Sequence, residues 1–298
     1  MLRRFTSTPI SRRLLLGVAL AAAAVAACGD SGDTNVVRTK QLTPGPPSFD
    51  SGGVRIHYEI AGSGHPMVVL HGWANSYQGF FAGNGWLGVL APLRTIIGVD
   101  QRGHGESDKP HDPAAYTAPV MAGDVVALLD HLGVGQADLF GYSMGGLVTA
   151  RMLVQAPERV SAAVLGGVGP NLFDPDSSAL DALYAPMIDA LLAENPEDIE
   201  IEVLRAVRDF YVAEGNDLVA LAAWLQAEHF AGAPEELAGL TVPVLVVNGE
   251  ADTGGPDVAA AIPGAQLEMI PGTNHLTVVP DKRFKDRVLR FLSEIDAA

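Results

Sequence analysis

A serine set between glycines is the first candidate for a reactive group in this sequence. Ser143 stands in the run Gly141-Tyr142-Ser143-Met144-Gly145, which follows a short apolar stretch and opens a helix-like one. A strand, a tight turn and a helix in this order expose the serine hydroxyl at the turn. Such a turn is too crowded for side chains at Gly141 and Gly145, so both glycines are sterically required. The pattern predicts that Ser143 is a nucleophile, and a plain glycine-rich turn is the alternative.

Two downstream residues could activate this serine. Serine is a weak nucleophile until a histidine takes up its proton and a carboxylate orients that histidine. Asp252 lies in the loop after the apolar run 242–247, and His275 lies in the loop after the next run, 267–270. Unrelated folds that carry a catalytic triad differ in the order of the three residues along the chain. The order Ser143, Asp252, His275 is found on one of these folds and not on the others. We predict that these three residues form a catalytic triad.

Residues 68–73, Val-Val-Leu-His-Gly-Trp, complete a resemblance to a known family. From about residue 54 to residue 293 the sequence resembles the α/β-hydrolases, in particular the cap-bearing esterases, lactonases and carbon–carbon bond hydrolases. The resemblance implies that the backbone N–H groups of Trp73 and Met144 form an oxyanion hole, with His71 and Gly72 supporting it. It implies neither a metal nor an organic cofactor.

Residues 100–107, Asp-Gln-Arg-Gly-His-Gly-Glu-Ser, resemble a second signature of this family. Its role in the family is to fix the loop beside the nucleophile, so His104 is expected to be structural. A metal site is the alternative, but its candidate ligands lack a recognised ligand spacing; they are His104, Asp108, His111 and Asp112. Three further histidines are expected to be structural or solvated: His57, His131 and His229.

The acid position departs from the family pattern in one respect. Ala251 stands where relatives often carry a second acidic residue beside Asp252. Some relatives carry the acid after an earlier strand, where this chain has Asp174 and Asp176. Asp252 is the preferred acid because its spacing from the preceding strand and from His275 fits without adjustment.

Short apolar runs alternate with helix-length segments along the chain. Strands are predicted at 54–60, 67–70, 95–99, 138–140, 162–165, 242–247 and 267–270, and helices at 119–132, 145–155 and 282–295. The alternation predicts an α/β fold in which a mostly parallel sheet is covered by helices on both faces. Residues 49–298 are assigned to this domain.

Residues 171–237 break the alternation and are rich in Ala, Leu and acidic residues. They predict two to four helices that form an inserted cap. One or two of its large side chains are expected to touch the substrate; the candidates are Phe173, Tyr184, Met187, Phe210, Tyr211, Trp224 and Phe230.

Residues 1–27 predict an export signal. Four arginines precede an apolar run, residues 14–27, that ends in small residues and is shorter than the roughly 20 residues of a membrane span. Cys28, the one cysteine of the sequence, ends a segment similar to the lipobox of bacterial lipoproteins, and residues 11–16 resemble a twin-arginine signal. We expect a lipidated Cys28, a flexible tether over residues 28–48, and an exported protein that contacts the cell membrane only through this anchor.

The charge of the chain bears on its partners. The net charge is −16 and becomes −20 if residues 1–27, with four arginines and no acidic residue, are removed. Such a surface repels nucleic acid and anionic headgroups, so no nucleic-acid partner is expected. A weak preference for uncharged small molecules follows.

The residue at position 143 narrows the chemistry. Dehalogenases and epoxide hydrolases that resemble this chain use aspartate there, whereas serine favours acyl transfer. The expected function is hydrolysis of a small, uncharged carboxylic ester or related acyl bond through an acyl-enzyme, as in a carboxylesterase. The alternatives are a lactonase, a carbon–carbon bond hydrolase, a serine haloperoxidase-like side activity, or a non-catalytic receptor for a small ligand.

Overall fold

The computed structural model describes residues 47–174, 176 and 178–298. The predicted signal peptide, Cys28 and nearly all of the predicted tether lie outside these residues. In the described part of the chain, eight strands form one sheet in the order β1-β2-β4-β3-β5-β6-β7-β8. The strands are β1 (Ser48–Ser51), β2 (Val54–Gly62), β3 (His65–Leu70), β4 (Arg94–Asp100), β5 (Ala137–Tyr142), β6 (Val160–Gly166), β7 (Val244–Gly249) and β8 (Gln266–Ile270).

The six strands β4, β3, β5, β6, β7 and β8 are parallel to one another. At one edge of the sheet, β2 pairs antiparallel with both β4 and β1. The predicted mostly parallel sheet is thereby confirmed, with all seven predicted strands in place. Strand β1 was not predicted, because its four residues, Ser-Phe-Asp-Ser, show no apolar run. This strand begins at Ser48, the last residue that was assigned to the tether.

Helices cover both faces of the sheet. They are α1 (Trp86–Leu90), α2 (Ala118–His131), α3 (Met144–Gln155), α4 (Ser178–Leu192), α5 (Glu202–Ala213), α6 (Leu218–Leu225), α7 (Gly255–Ala261) and α8 (Lys282–Asp296). One apolar core contains buried side chains of α2, α3 and α4–α6, and a second core, on the other face, contains those of α1 and α8. Within the described residues, no helix is both long and apolar enough to cross a membrane.

Helix α8 illustrates how the sequence pattern produces this layering. Its buried apolar side chains, Phe284, Val288, Phe291 and Leu292, recur at the helical spacing of three and four residues. Asp281 caps the first turn by accepting a hydrogen bond from the Arg283 N–H at 2.8 Å. The apolar stripe therefore determines which face of this helix packs on the sheet, and the N-cap residue determines where the helix begins.

Helices α4, α5 and α6 form the cap that the sequence predicts for residues 171–237. Two polar contacts join its α6 segment to the body. The Trp73 indole N–H donates to the Leu221 carbonyl oxygen at 3.2 Å, and His111 Nε2 lies 3.0 Å from Asp217 Oδ2. Asp217 also caps α6 by accepting hydrogen bonds from the N–H groups of Val219 and Ala220, each at 3.0 Å.

Replacing Asp217 with alanine should lower the free energy of unfolding by about 1–2 kcal/mol, because the variant loses the helix cap and the His111 contact together. Asp217→Asn is the matched control, since asparagine is an equally good capping residue. Urea unfolding of both variants measures the difference. Equal losses in the two variants would contradict a stabilising role for the cap bonds.

Candidate active site

Three predicted site residues meet above the carboxyl ends of the parallel strands. His275 Nε2 lies 3.0 Å from Ser143 Oγ, and His275 Nδ1 lies 3.2 Å from Asp252 Oδ2. Since the carboxylate accepts a hydrogen bond, this arrangement places the imidazole proton on Nδ1 and leaves Nε2 to accept the serine proton. Ser143, Asp252 and His275 are each partly exposed, so the group is open to a small molecule.

The turn that holds Ser143 is strained. Its φ of 53° and ψ of −111° lie in a region that side-chain-bearing residues rarely adopt. A Cβ on Gly141 would lie 2.0 Å from the Gly145 carbonyl oxygen, and a Cβ on Gly145 would lie 2.1 Å from the Leu70 carbonyl oxygen. Both glycines are therefore sterically required, as the sequence pattern predicts. The Ser143 N–H donates to the Gly166 carbonyl oxygen at 2.8 Å and ties the turn to β6.

The loop after β7 brings Asp252 to the histidine. Asn248, fully buried at the end of β7, accepts a hydrogen bond from the Val168 N–H at 3.1 Å and donates to the Val168 carbonyl oxygen at 2.7 Å. Its amide also donates to the Asp252 carbonyl oxygen at 3.4 Å. The alternative acids, Asp174 and Asp176, are exposed, and the Asp176 N–H donates to the Asp174 carboxylate at 2.9 Å. Asp252 is thus the carboxylate that the fold brings to His275.

The segment after β3 passes beside the serine. A Cβ on Gly72 would lie 3.6 Å from the Ser143 Cβ. His71 Nδ1 donates to the Gly72 carbonyl oxygen at 2.8 Å, while its Nε2 accepts from the Gln101 N–H at 3.1 Å. The Gly72 carbonyl and the Trp73 N–H belong to one trans peptide group and point in opposite directions. Because the carbonyl points at His71, the Trp73 N–H points away from it. This fixed peptide is one half of the predicted oxyanion hole.

Met144 supplies the other predicted donor. It is the first residue of α3, and the first N–H groups of a helix have no acceptor within that helix. The positive end of the α3 dipole adds to the attraction for a developing negative charge. The two predicted donors, the N–H groups of Trp73 and Met144, thus belong to two different elements, the segment after β3 and the start of α3.

Burial keeps the supporting histidines neutral. Burial lowers the pKa of His71, against an opposing effect of the Asp100 charge. Burial, followed by repulsion from His71, lowers the pKa of His104 to about 3. His104 Nδ1 donates to the Arg102 carbonyl oxygen at 3.0 Å, which is the structural role expected for it.

The residues of the alternative metal site do not converge. Asp108 pairs with Arg55 at 3.2 Å, His111 contacts Asp217 in the cap, and Asp112 accepts a hydrogen bond from the Ala114 N–H at 3.0 Å. In residues 47–174, 176 and 178–298, no group of three or more His, Cys, Asp or Glu side chains is arranged to hold a metal ion.

Acid should destabilise the folded chain through His104. The unfolded chain binds a proton at this histidine near pH 6.5, whereas the folded chain does so only near pH 3, so stability falls as the pH drops below 6.5. Between pH 7.5 and pH 5.0 this group alone should remove about 2 kcal/mol. Urea unfolding of the wild-type chain and His104→Asn at both values measures it. A pH dependence that the substitution leaves unchanged would assign the effect to other groups.

Aromatic side chains of the cap cover the Trp73 side of the site. The Trp73 ring lies edge-on to Tyr211 with centroids 5.3 Å apart, and its centroid is 6.4 Å from that of Trp224. His229 stacks on Trp224 with centroids 4.0 Å apart. Of the predicted roof residues, Phe173, Met187, Tyr211 and Trp224 are buried, and Tyr184, Phe210 and Phe230 are partly buried.

Two residues of the site had no assigned role in the sequence analysis. Asn248 could have been found as the polar residue inside the apolar run of β7. Tyr142 occupies the variable position before Ser143, and its hydroxyl donates a hydrogen bond to the His275 carbonyl oxygen. No sequence signal links residues 142 and 275.

Comparisons with known proteins agree with this architecture. Residues 65–198 match the sequence profile of the alpha/beta hydrolase fold family. A 2-hydroxymuconate semialdehyde hydrolase from Pseudomonas sp. (strain CF600) is 30% identical over 268 residues, covering 83% of this chain and 93% of that protein. The esterase RhEst1 from Rhodococcus sp. ECU1013 is 30% identical, with a TM-score of 0.62 and coverage of 83% and 98%. The enol-lactonase from Burkholderia xenovorans LB400 is 25% identical, with a TM-score of 0.63 and coverage of 83% and 100%. The fold expected from the sequence is confirmed.

Proposed function

The chain belongs to the α/β-hydrolase family, and we propose on that basis that it is a serine hydrolase that cleaves a small, uncharged carboxylic ester. The observation that carries the proposal is the position of His275, which bridges Ser143 Oγ at 3.0 Å and Asp252 Oδ2 at 3.2 Å. A nucleophile, a base and an orienting carboxylate in hydrogen-bond contact are the parts that acyl transfer needs.

In the acylation step, Ser143 Oγ attacks the acyl carbon while its proton passes to His275 Nε2. The N–H groups of Trp73 and Met144 stabilise the oxyanion. In other enzymes, removal of one such donor raises the activation free energy by on the order of 3–4 kcal/mol. The imidazolium, steadied by Asp252, then protonates the departing alcohol oxygen. The carbon–oxygen bond breaks and leaves an acyl group on Ser143.

In the second step, water completes the reaction. His275 Nε2 takes a proton from water as the water oxygen attacks the acyl carbon, and the same nitrogen returns that proton to Ser143 Oγ. The carboxylic acid leaves, and the resting arrangement is restored. In both steps the proton passes through His275 Nε2.

A p-nitrophenyl ester series from acetate to decanoate tests the proposal, combined with labelling by a fluorophosphonate probe. We expect hydrolysis with a chain-length optimum that reports the size of the acyl pocket, and labelling of Ser143. His275→Ala is the control and should lose both. A folded chain that binds an ester but neither turns it over nor takes the label would favour the receptor alternative.

Lactone or carbon–carbon bond hydrolysis is the second candidate. It is favoured by the likeness to a 2-hydroxymuconate semialdehyde hydrolase and to an enol-lactonase, each over more than nine-tenths of that relative's length. Both reactions can use the same nucleophile and base. An enol-lactone and a ring-cleavage dienoate, assayed beside the esters, decide between them by their kcat/KM values.

The preference for uncharged substrates rests on the net charge of −16. An excess of negative charge lowers the local concentration of anionic substrates and raises their relative KM at low ionic strength. A neutral ester and its analogue with a free carboxylate in the acyl chain provide the comparison. A lower KM for the anionic analogue would contradict this part of the proposal.

Export and lipid anchoring at Cys28 form a separate part of the proposal, supported by the signal-like residues 1–27 and the lipobox-like residues before Cys28. Two or more acyl chains are needed for stable anchoring, at about 0.8 kcal/mol per buried methylene. Cys28→Ser should move the protein from the membrane fraction to the soluble fraction. An unchanged membrane fraction would contradict the anchor.

A further inference from the structure

Tyr142 connects the strand that carries the nucleophile to the loop that carries the base. Its hydroxyl donates a hydrogen bond to the backbone carbonyl oxygen of His275. Its ring also lies against the His275 imidazole, with centroids 5.2 Å apart. Ser143 therefore contacts the imidazole of His275, and Tyr142, the residue before it, contacts both the backbone and the ring of the same histidine.

The surroundings of Tyr142 confine its ring on several sides. A Cβ on Gly166 would lie 2.7 Å from the ring, and a Cβ on Gly167 would lie 2.5 Å from it. Phe80 packs on the ring at a centroid distance of 5.0 Å, and Phe284 at 6.3 Å. Two glycines and two aromatic rings thus form a slot that directs the hydroxyl to the loop of His275.

The hydroxyl is a permanent donor. Burial, followed by the negative charge of Asp252, raises the pKa of Tyr142 well above its usual value. The phenol therefore stays protonated over the whole range in which an esterase is assayed, and the bond to the carbonyl of His275 persists throughout. A carbonyl oxygen can only accept, so the direction of this bond is fixed.

We propose that Tyr142 is a positioning residue for His275, which keeps the imidazole in register with both Ser143 and Asp252 during the two proton transfers. This inference rests on the proposed function, because it concerns the geometry of the same base. The loop of His275 is also held by its own turn, in which Asn274 Oδ1 accepts from the N–H groups of Leu276 and Thr277 at 3.0 Å each, and by the Ala251 N–H, which donates to the Thr273 carbonyl oxygen at 3.0 Å. Those contacts hold the loop to itself and to the loop of Asp252, whereas Tyr142 ties it to the strand that carries the nucleophile.

Tyr142→Phe removes the hydroxyl and keeps the ring in its slot. We expect kcat to fall about tenfold with KM nearly unchanged, because ester binding does not involve the hydroxyl. The rate of labelling by a fluorophosphonate should fall by the same factor, since that reaction also needs His275 as base. Tyr116→Phe is the matched control, because Tyr116 is equally buried and its hydroxyl donates to the carbonyl oxygen of Pro110, at 2.6 Å, and not to a triad residue.

Both phenylalanine variants should lose similar amounts of thermal stability, but only Tyr142→Phe should lose kcat. Equal kcat values in Tyr142→Phe and the wild-type chain would overturn the inference. Gly166→Ala provides a second variant that displaces the ring without removing the hydroxyl, and it should lower kcat as well.

A double-mutant comparison separates positioning from a general loss of structure. In a His275→Ala background, Tyr142→Phe should leave the residual rate unchanged, since its effect passes through the missing imidazole. A further tenfold loss in that background would overturn the inference and leave the serine hydrolase proposal intact. A wild-type chain without Ser143-dependent activity would overturn both.

Discussion

Ser143→Ala should abolish ester hydrolysis, with a loss in kcat on the order of 10⁵-fold or more. The substitution removes the hydroxyl that lies 3.0 Å from His275 Nε2 and that attacks the acyl carbon in the proposed acylation step. What remains is the stabilisation of the oxyanion by backbone N–H groups, which in other enzymes leaves a small residual rate above that of water. Steady-state assays on the best p-nitrophenyl ester measure the loss.

The fold should survive this change. Alanine at position 143 keeps the main chain and the Cβ, so the unfolding midpoint in urea should stay close to that of the wild type. Ser293→Ala, at an exposed position on α8, is the control serine and should keep full activity. An active Ser143→Ala chain would contradict the serine mechanism outright.

Asp252→Asn should lower kcat by about 10⁴-fold. The asparagine amide can donate to His275 Nδ1, and that contact stabilises the tautomer whose proton lies on Nε2. Such an imidazole cannot accept the proton of Ser143. The shape of the side chain is retained, so the loss reports the orientation and charge of the acid and not the packing around it.

Asp174→Asn tests the alternative placement of the acid. Asp174 is exposed and accepts a hydrogen bond from its neighbour Asp176, so its substitution should leave kcat unchanged. The reverse result, with activity lost in Asp174→Asn and kept in Asp252→Asn, would show that the acid follows β6 and that Asp252 has another role.

The local features of the fold could be predicted because each has its own pattern in the chain. The run of β5 followed by Gly141, Ser143 and Gly145 contains a strand, a turn and a helix start within about ten residues. The buried parallel strands are continuous apolar runs, which period and length identify. The edge strand β1 has no such run, and only its pairing with β2 makes it a strand.

The contacts between distant segments could not be predicted. Tyr142 and His275 are 133 positions apart, and Trp73 and Leu221 are 148 apart. The sequence does not show whether a hydroxyl or indole donor bonds to a carbonyl oxygen or to solvent. The partner depends on how whole helices and strands pack against one another. Sequence motifs therefore identified the candidate triad, whereas the residues that hold its parts in register emerged only from the fold.

The placement of the tryptophans has an optical consequence. Trp73 belongs to the body and Trp224 to the cap, and their ring centres are 6.4 Å apart. The third tryptophan of the sequence, Trp86, is fully buried in the core on the other face of the sheet. Separation of cap and body would hydrate the first two indoles and shift their emission to longer wavelength, while Trp86 would contribute a constant background. The intrinsic fluorescence of the unlabelled chain would therefore report any separation of the cap from the body.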